Sequence, residues 1–169
     1  MRVAILGNSG SGKSTLATRL AREHALARLD LDTIAFEPDR IAVPRAPEVA
    51  LAELERFCAA HERWVVEGCY RDLIARALTL GAALLFLDPG AQQCLENCRA
   101  RPFEPHKYSS RQEQDARLEF LLGWVQDYYS RDGDMSHAAH RELFEQFTGP
   151  KLRLTEQRDA LPQLPGGAG

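Results

Sequence analysis

Short apolar runs alternate with longer amphipathic stretches along this chain. Runs of this length are typical of buried strands, and the stretches between them carry apolar residues at helical spacing. Such an alternation predicts an α/β fold with a parallel sheet, because parallel strands need crossover helices between them. The predicted strands are 3–6, 29–31, 64–66 and 83–87, with 152–154 as a weaker fifth.

The amphipathic stretches predict five helices. Pro47 suits the first turn of the second helix, and Gly81 is expected just beyond the end of the third, where a left-handed residue often closes a helix. A polar segment interrupted by prolines separates the last two predicted helices. The predicted helices are 13–24, 47–61, 71–80, 91–101 and 112–131.

The length and composition fit one globular unit. The chain has 169 residues, of which 44% are hydrophobic and 27% charged, a balance that can bury a substantial core. We expect a single domain over residues 1–160, with a lid segment at about 99–115. The end of the chain, 161–169, is expected to be a frayed tail.

The net charge and the hydropathy of the sequence limit which binding partners and which cellular location we expect. The net charge of −3 and a pI near 6.0 provide no basic field of the kind that duplex nucleic acid requires, so we do not expect nucleic acid as a partner. No apolar stretch approaches the roughly 20 residues of a membrane helix, and the first apolar run is too short for a signal peptide. We therefore expect a cytoplasmic protein that does not bind membranes and is a monomer or a weak homodimer.

The four cysteines lie within the predicted elements, without a CxxC pair or a Cys/His cluster. We interpret them as reduced core thiols rather than metal ligands. They are Cys58, Cys69, Cys94 and Cys98.

The strongest motif lies between the first strand and the first helix, where the chain matches G-x-x-x-x-G-K-[ST]. Glycines let the backbone curl around phosphates, and the N-terminus of the helix favours an anion. Lys13 is expected to reach the β- and γ-phosphates, and the Ser14 hydroxyl is the expected Mg²⁺ ligand. The predicted cofactors are ATP and Mg²⁺. The residues expected to bind them are Gly7, Asn8, Ser9, Gly10, Ser11, Gly12, Lys13, Ser14 and Thr15.

The other sequence signals separate the classes of P-loop protein. The N/T-K-x-D and D-x-x-G sequences through which GTPases read their nucleotide do not occur, and motor-type ATPases need a much longer chain. A small-molecule kinase, in which one compact domain binds donor and acceptor, is the class that remains.

Five segments then resemble known kinases, in the expected order along the chain. The chain is similar to the shikimate-kinase and adenylate-kinase-like group of small P-loop kinases, and more narrowly to topology-modulation-protein-like P-loop ATP-binding proteins. The resemblance implies a three-layer P-loop NTPase fold with a five-stranded parallel sheet, like that of nucleoside monophosphate kinases, and a short lid. The segments are GNSGSGKST at 7–15, LDLDTIAFEP at 29–38, WVVEGCY at 64–70, LLFLD at 84–88 and WVQDYYSR at 124–131.

Acidic residues follow the second strand. The resemblance implies an acid there that faces the acceptor, and the matching position is Asp32, with Asp30 two residues earlier. On an extended segment both carboxylates project to the same side, where they could engage an acceptor hydroxyl or the Mg²⁺ shell. The alternative is that one of them caps a helix or a turn.

The third and fourth strands also end in acids. The segment 67–71 is similar to the Asp-Gly-x-x-Arg stretch of nucleoside monophosphate kinases, with Glu67 in place of the aspartate. The resemblance implies that this acid organises the water shell of Mg²⁺ and that Arg71 grips a phosphate of the acceptor; alternatively, Arg71 is an exposed first-turn residue. Asp88 has the form of a Walker B carboxylate and is the alternative to Glu67 for the metal-binding role. Either acid is expected to contact Mg²⁺ through water.

Arginines complete the predicted site. In helix 112–131 the apolar stripe through Trp124 and Tyr128 extends to Arg131. A buried arginine needs an anionic partner, and the resemblance implies that arginines of the lid and the following helix neutralise the transferring phosphate. The alternatives for Arg131 are a salt bridge to a nearby aspartate or an interaction with the dipole of its own helix. The other candidates are Arg99 and Arg101, and more weakly Arg117.

These features predict an ATP- and Mg²⁺-dependent phosphotransferase that acts on a small cytosolic metabolite or nucleotide. The expected catalytic residues are Lys13, Asp32, Glu67 and Arg131. The alternative is an ATP-binding regulatory P-loop protein without efficient transfer activity.

Overall fold

Five parallel strands form one sheet in the order β2-β3-β1-β4-β5. The computed structural model describes residues 1–37, 43–103, 108–156 and 163. The sheet confirms the predicted α/β fold and its five strands. These are β1 (Arg2–Gly7), β2 (Ala27–Asp30), β3 (Trp64–Gly68), β4 (Ala83–Leu87) and β5 (Lys151–Leu154).

The helices agree with the predicted pattern in the first half of the chain and depart from it in the second. In the described part of the chain, no helix is both long and apolar enough to cross a membrane. The helices are α1 (Lys13–His24), α2 (Asp32–Ala35), α3 (Pro47–Ala60), α4 (Arg71–Thr79), α5 (Ala91–Arg99), α6 (Arg111–Ala116), α7 (Leu118–Asp127) and α8 (His137–Gln146).

The prediction of one helix over 112–131 was wrong, because the chain breaks at Arg117, between α6 and α7. None of the residues of α6 is buried, whereas α7 buries Leu122 and Val125 against the cysteines of α5. The break lets α7 take its own direction onto α5. Since α7 ends at Asp127, the position of Arg131 does not follow from helical spacing.

Helix α8 was not predicted, although its start carries a recognisable signal. The Ser136 hydroxyl accepts a hydrogen bond from the backbone N–H of Ala139 at 3.1 Å, which is an ordinary N-cap. A histidine, His140, occupies a fully buried position of this helix and weakens its apolar pattern. The expected tail, 161–169, lies outside the described residues apart from Gln163, as do residues 104–107 of the expected lid.

Alternate residues of the strands pack on opposite faces of the sheet. One face, which includes Ile5 and Val65, packs on α1, and the other, which includes Leu6 and Phe86, packs on α3, α4 and α8. All strands run the same way, so the ends of β1, β2, β3 and β4 meet at one edge of the sheet. That edge carries the glycine-rich loop and the predicted acids, as expected for ligand sites in open α/β sheets.

Candidate nucleotide and acceptor site

The loop between β1 and α1 adopts a conformation that only glycine accepts readily. Gly10 has φ of 77° and Gly12 has φ of 94°, both in the left-handed region. A Cβ on Gly10 would also collide with the carbonyl oxygen of Cys94 in α5. The glycines therefore serve both the curl of the loop and its close packing on α5.

Lys13 spans this loop. Its Nζ donates a hydrogen bond to the carbonyl oxygen of Asn8 at 2.8 Å, and the residue is only 9% exposed. The next two residues, Ser14 and Thr15, are exposed in the first turn of α1. That turn contains no acidic residue, so nothing in it competes with an anion at the N-terminus of the helix.

These residues fit the phosphates of a nucleotide. The Ser11 hydroxyl is buried in the loop without a hydrogen-bond partner among the described residues, an arrangement that folded proteins seldom leave uncompensated. The Ser14 hydroxyl fits the role of a Mg²⁺ ligand. Within the described chain no three His, Cys, Asp or Glu side chains gather into a metal-holding group, but Mg²⁺ commonly relies on waters and substrate phosphates.

Two asparagines tie the loop to neighbouring helices. The Asn8 side chain donates through Nδ2 to the carbonyl oxygen of Val125 in α7 at 2.9 Å and accepts from the Ser9 N–H at 2.8 Å. Asn97 of α5 donates to the carbonyl oxygen of Gly10 at 2.8 Å. The Asn8 side chain therefore holds the loop in place and leaves only its backbone for a nucleotide.

The two aspartates at the end of β2 and the start of α2 have different partners. Asp30 accepts a hydrogen bond from the backbone N–H of Asp32 at 3.0 Å, which forms an Asx turn between β2 and α2. Asp32 accepts through Oδ1 from the Tyr70 hydroxyl at 2.9 Å. The end of β3 and the start of α2 can lie this close because residue 68 is a glycine. A Cβ on Gly68 would lie 2.9 Å from the Cβ of Leu31.

Cys69 lies in the short loop between β3 and α4. Burial raises the pKa of its thiol to about 11, and the charges of Lys13, Asp32 and Arg131 also act on it. The thiol itself stays protonated at neutral pH and is a poor nucleophile.

Glu67, the fourth expected catalytic residue, is paired with an arginine. It is 2% exposed, and its Oε1 accepts from Nη2 of Arg28 at 2.9 Å. Arg28 was not predicted as a site residue. Its position in β2 could have indicated the pairing. Asp30 lies opposite Glu67 in the sheet, and Arg28, two residues earlier, has its side chain on the same face of the strand as Asp30. With Arg28 beside it, the Glu67 carboxylate is already neutralised.

Asp88, the other candidate for the metal, lies in a dense network that the sequence did not reveal. Its Oδ1 accepts from the Tyr129 hydroxyl at 2.9 Å, and its Oδ2 contacts Nε2 of His137 at 3.0 Å and the guanidinium of Arg153. Burial alone would raise the pKa of this carboxyl, but the hydrogen bonds from Arg153, His137 and Tyr129 hold it below its ordinary value. The network joins β4, β5 and the start of α8.

Arg131 lies just after α7, and its side chain is engaged by the backbone. Its guanidinium donates to the carbonyl oxygen of Trp124 at 2.6 Å and to that of Met135 at 2.6 and 2.9 Å. It also stacks on the Trp124 ring, 3.6 Å from the ring centre. Burial lowers its pKa. Arg131 therefore closes the end of α7 as well as placing a positive charge beside Cys69.

The other candidate arginines lie at the start of α4, at and just after the end of α5, and between α6 and α7. Arg71 forms loose ion pairs with Asp72 at 3.4 Å and with Glu142 of α8 at 3.6 Å. Arg99 is exposed at the end of α5, and Arg101, just after it, is half-buried with a contact to Cys98. Arg117 pairs with Glu113 at 3.8 Å.

A search of protein-family models and a search of curated proteins both found no match. Solved structures do resemble the chain. A sugar kinase from a Janibacter species is 20% identical, with a TM-score of 0.46 over 74% of this chain and 94% of that one. A gluconokinase from Sinorhizobium meliloti is 20% identical, with a TM-score of 0.44 over 86% and 97%. A shikimate kinase from Bacteroides thetaiotaomicron is 18% identical, with a TM-score of 0.46 over 86% and 97%.

A sugar kinase, a gluconokinase and shikimate kinases are thus among the solved structures that the chain is similar to. At these identities the likeness concerns the fold, which the sheet order and the glycine-rich loop define independently. The chemistry of this chain follows from its own site.

Proposed function

We propose that this protein is an ATP- and Mg²⁺-dependent phosphotransferase acting on a small-molecule acceptor. The observation that supports the proposal is a P-loop with a buried, unpartnered Ser11 hydroxyl among the described residues, at the same edge of the sheet as the end of β2 that leads to Asp32. A loop that only bound nucleotide would need Lys13 but no carboxylate opposite it. Phosphoryl transfer needs both, because catalysis rests on charge neutralisation and on an oriented nucleophile.

On the donor side, the loop N–H groups and Lys13 bind the phosphates of ATP, and the Ser14 hydroxyl holds Mg²⁺. When bound, Mg²⁺ neutralises charge on the phosphates that Lys13 also contacts. Arg99 and Arg101, at the end of α5, contribute further positive charge near the loop. Glu67 is paired with Arg28, so in this proposal it acts on the ion only through water.

On the acceptor side, Asp32 orients the acceptor hydroxyl and accepts its proton, and Arg131 neutralises the transferring group. Arg71, which the resemblance assigned to a phosphate on the acceptor, is instead turned towards Asp72 and Glu142. We therefore favour a hydroxyl compound without a phosphate group over a nucleoside monophosphate.

The test is a transfer assay with [γ-³²P]ATP and Mg²⁺. One panel contains gluconate, shikimate, glucose and glycerol, and the other contains nucleoside monophosphates. The proposal expects label in a member of the first panel and none in the second. Label in a nucleoside monophosphate would overturn the acceptor class. Tight ATP binding with no labelled product in either panel would favour the regulatory alternative.

A further inference from the structure

A tyrosine holds the carboxylate on the acceptor side. The Tyr70 hydroxyl donates to Oδ1 of Asp32 at 2.9 Å, across 38 positions of sequence. The ring is half-buried and packs edge-on against Phe36, with 6.3 Å between the ring centres. Ring packing fixes the direction of the hydroxyl, so the hydrogen bond has a defined geometry.

The phenol acts as a permanent donor. Burial, together with the negative charge of Asp32, raises the pKa of Tyr70 far above its ordinary value. The hydroxyl is therefore protonated at neutral pH. It can always donate to the carboxylate, and it cannot compete with Asp32 for the proton of an acceptor.

The loop that carries Tyr70 is anchored from behind by a buried histidine. His140 is fully buried, and its Nε2 lies 2.8 Å from the carbonyl oxygen of Cys69. Its Nδ1 lies 2.8 Å from the Tyr128 hydroxyl. A carbonyl can only accept, so Nε2–H donates to Cys69 and Nδ1 accepts from Tyr128. These two hydrogen bonds, from Tyr128 through His140 to Cys69, connect the end of α7, helix α8 and the loop after β3.

We propose that Tyr70 is a positioning residue that fixes the Asp32 carboxylate for the acceptor hydroxyl, with His140 holding the loop that carries it. The inference rests on the proposed function, because it assigns Tyr70 a role in that reaction. The hydrogen bond from the Tyr70 hydroxyl to Oδ1 restrains the orientation of the Asp32 carboxylate. Loss of this hydrogen bond would loosen the rotamer of Asp32, and the acceptor hydroxyl would meet its base less often.

The chain provides a matched control. The Tyr129 hydroxyl donates to Oδ1 of Asp88 at the same distance, 2.9 Å, but Asp88 is held further by His137 and Arg153. Tyr70→Phe and Tyr129→Phe each remove one hydroxyl from one carboxylate and keep the ring. Only the first change removes a donor from Asp32.

The activity test compares wild type, Tyr70→Phe, Tyr129→Phe, Asp32→Asn and the double variant Tyr70→Phe/Asp32→Asn, with ATP·Mg²⁺ and the four unphosphorylated acceptors. We expect kcat to fall about ten-fold in Tyr70→Phe, with KM for ATP and the melting temperature unchanged, and less than two-fold in Tyr129→Phe. Adding Tyr70→Phe to Asp32→Asn should cause no further loss, since the two residues act as one unit.

A second readout does not depend on turnover. In protein labelled with ¹³C at the aspartate carboxyls, the Asp32 signal is assigned by its loss in Asp32→Asn. Removing a donor to the charged form should raise its titration midpoint in Tyr70→Phe by up to about one pH unit. Tyr129→Phe should leave it in place.

The outcomes separate the two claims. Full kcat in Tyr70→Phe together with loss of transfer in Asp32→Asn overturns the inference and leaves the proposed function standing. An unchanged Asp32 midpoint in Tyr70→Phe also overturns it, because the hydrogen bond would then not orient the carboxylate in solution. Absence of transfer in the wild type overturns the proposed function, and this role with it.

Discussion

Two carboxylates at the same edge of the sheet receive a tyrosine hydroxyl at the same distance, yet they are held very differently. Asp32 and Asp88 each accept on Oδ1 at 2.9 Å. Asp88 also has His137 and Arg153 on Oδ2, and its side chain is only 5% exposed. The charge of Asp88 is therefore balanced inside the fold, whereas the donor to Oδ1 of Asp32 is a neutral hydroxyl on the loop after β3.

The comparison teaches how to rank acids that look alike in sequence. Asp88 ends an apolar strand and has the form of a metal-binding acid, but its partners come from β5 and α8 and join distant parts of the chain. Asp32 begins a short helix and accepts a hydrogen bond from a neutral donor, the Tyr70 hydroxyl. A carboxylate that joins several distant elements, as Asp88 does, is expected to act mainly in stabilising the fold.

The largest expected effect separates the two aspartates directly. Asp32→Asn should lower phosphoryl transfer by about 10³-fold with little change in melting temperature, because it removes the proposed base and keeps a side chain of the same size that can still accept a hydrogen bond from Tyr70. Asp88→Asn should instead lower the free energy of unfolding by about 2 kcal/mol, since Arg153 and His137 lose their counter-charge.

Both variants are compared by urea unfolding and by transfer rate per folded molecule. The account is contradicted if Asp88→Asn costs more transfer than Asp32→Asn, or if Asp32→Asn is the variant that unfolds more readily.

Lowering the pH should first weaken the hydrogen bonds that hold the Cys69 loop and then those of Asp88. Both sets involve a histidine of α8, His140 for the loop and His137 for Asp88. Burial lowers the pKa of His140 from 6.5 to about 4, so this residue favours folding in its neutral form. Its contribution is complete above pH 6.5 and is lost as the pH falls towards 4. The lowered pKa of Asp88 adds a loss only below its ordinary value of 3.8.

His140→Gln keeps an N–H donor but removes this titration. Between pH 6.5 and 4, the wild type should lose on the order of 3 kcal/mol more unfolding free energy than the variant does. Urea unfolding curves at pH 7, 5.5 and 4.5 measure the difference. Equal pH slopes for the two proteins would show that His140 is not held neutral by burial.

The smallest expected effect concerns Arg71, at the start of α4. Its ion pairs with Asp72 and Glu142 are long and partly exposed, so Arg71→Ala should cost less than about 1 kcal/mol of unfolding free energy. If the acceptor carries no phosphate, KM for the acceptor should change less than about two-fold.

Arg76→Ala, which removes another exposed pair on the same helix, to Glu55 at 2.8 Å, is the control. A rise of ten-fold or more in KM for the acceptor in Arg71→Ala alone would return Arg71 to the acceptor site and favour a phosphorylated substrate.

Much of the fold could be predicted from sequence, because it depends on local periodicity. The apolar runs placed every strand to within about two residues, and the glycine-rich motif placed the loop and α1. The break at Arg117 and the presence of α8 could not be read this way. Burial against α5 decides the first, and a polar histidine in a core position obscures the second.

The candidate site was predictable only as far as its residues belong to motifs. The partners of Asp88 lie 41, 49 and 65 positions away from it, and Tyr70 lies 38 positions from Asp32. Such contacts depend on which strands are neighbours in the sheet and on where loops fold back, which one sequence does not encode locally. Arg28 shows the same limit, because its pairing with Glu67 requires knowing that β2 lies beside β3.

The most direct test of the central claim is titration calorimetry of the wild type and Lys13→Ala with ATP·Mg²⁺. The account predicts one site in the wild type and a loss of affinity of about 100-fold or more in Lys13→Ala, with the melting temperature nearly unchanged, because Nζ lies inside the loop against the carbonyl of Asn8. Wild-type affinity for ATP·Mg²⁺ in the variant would contradict the claim that this loop binds the phosphates of a nucleotide.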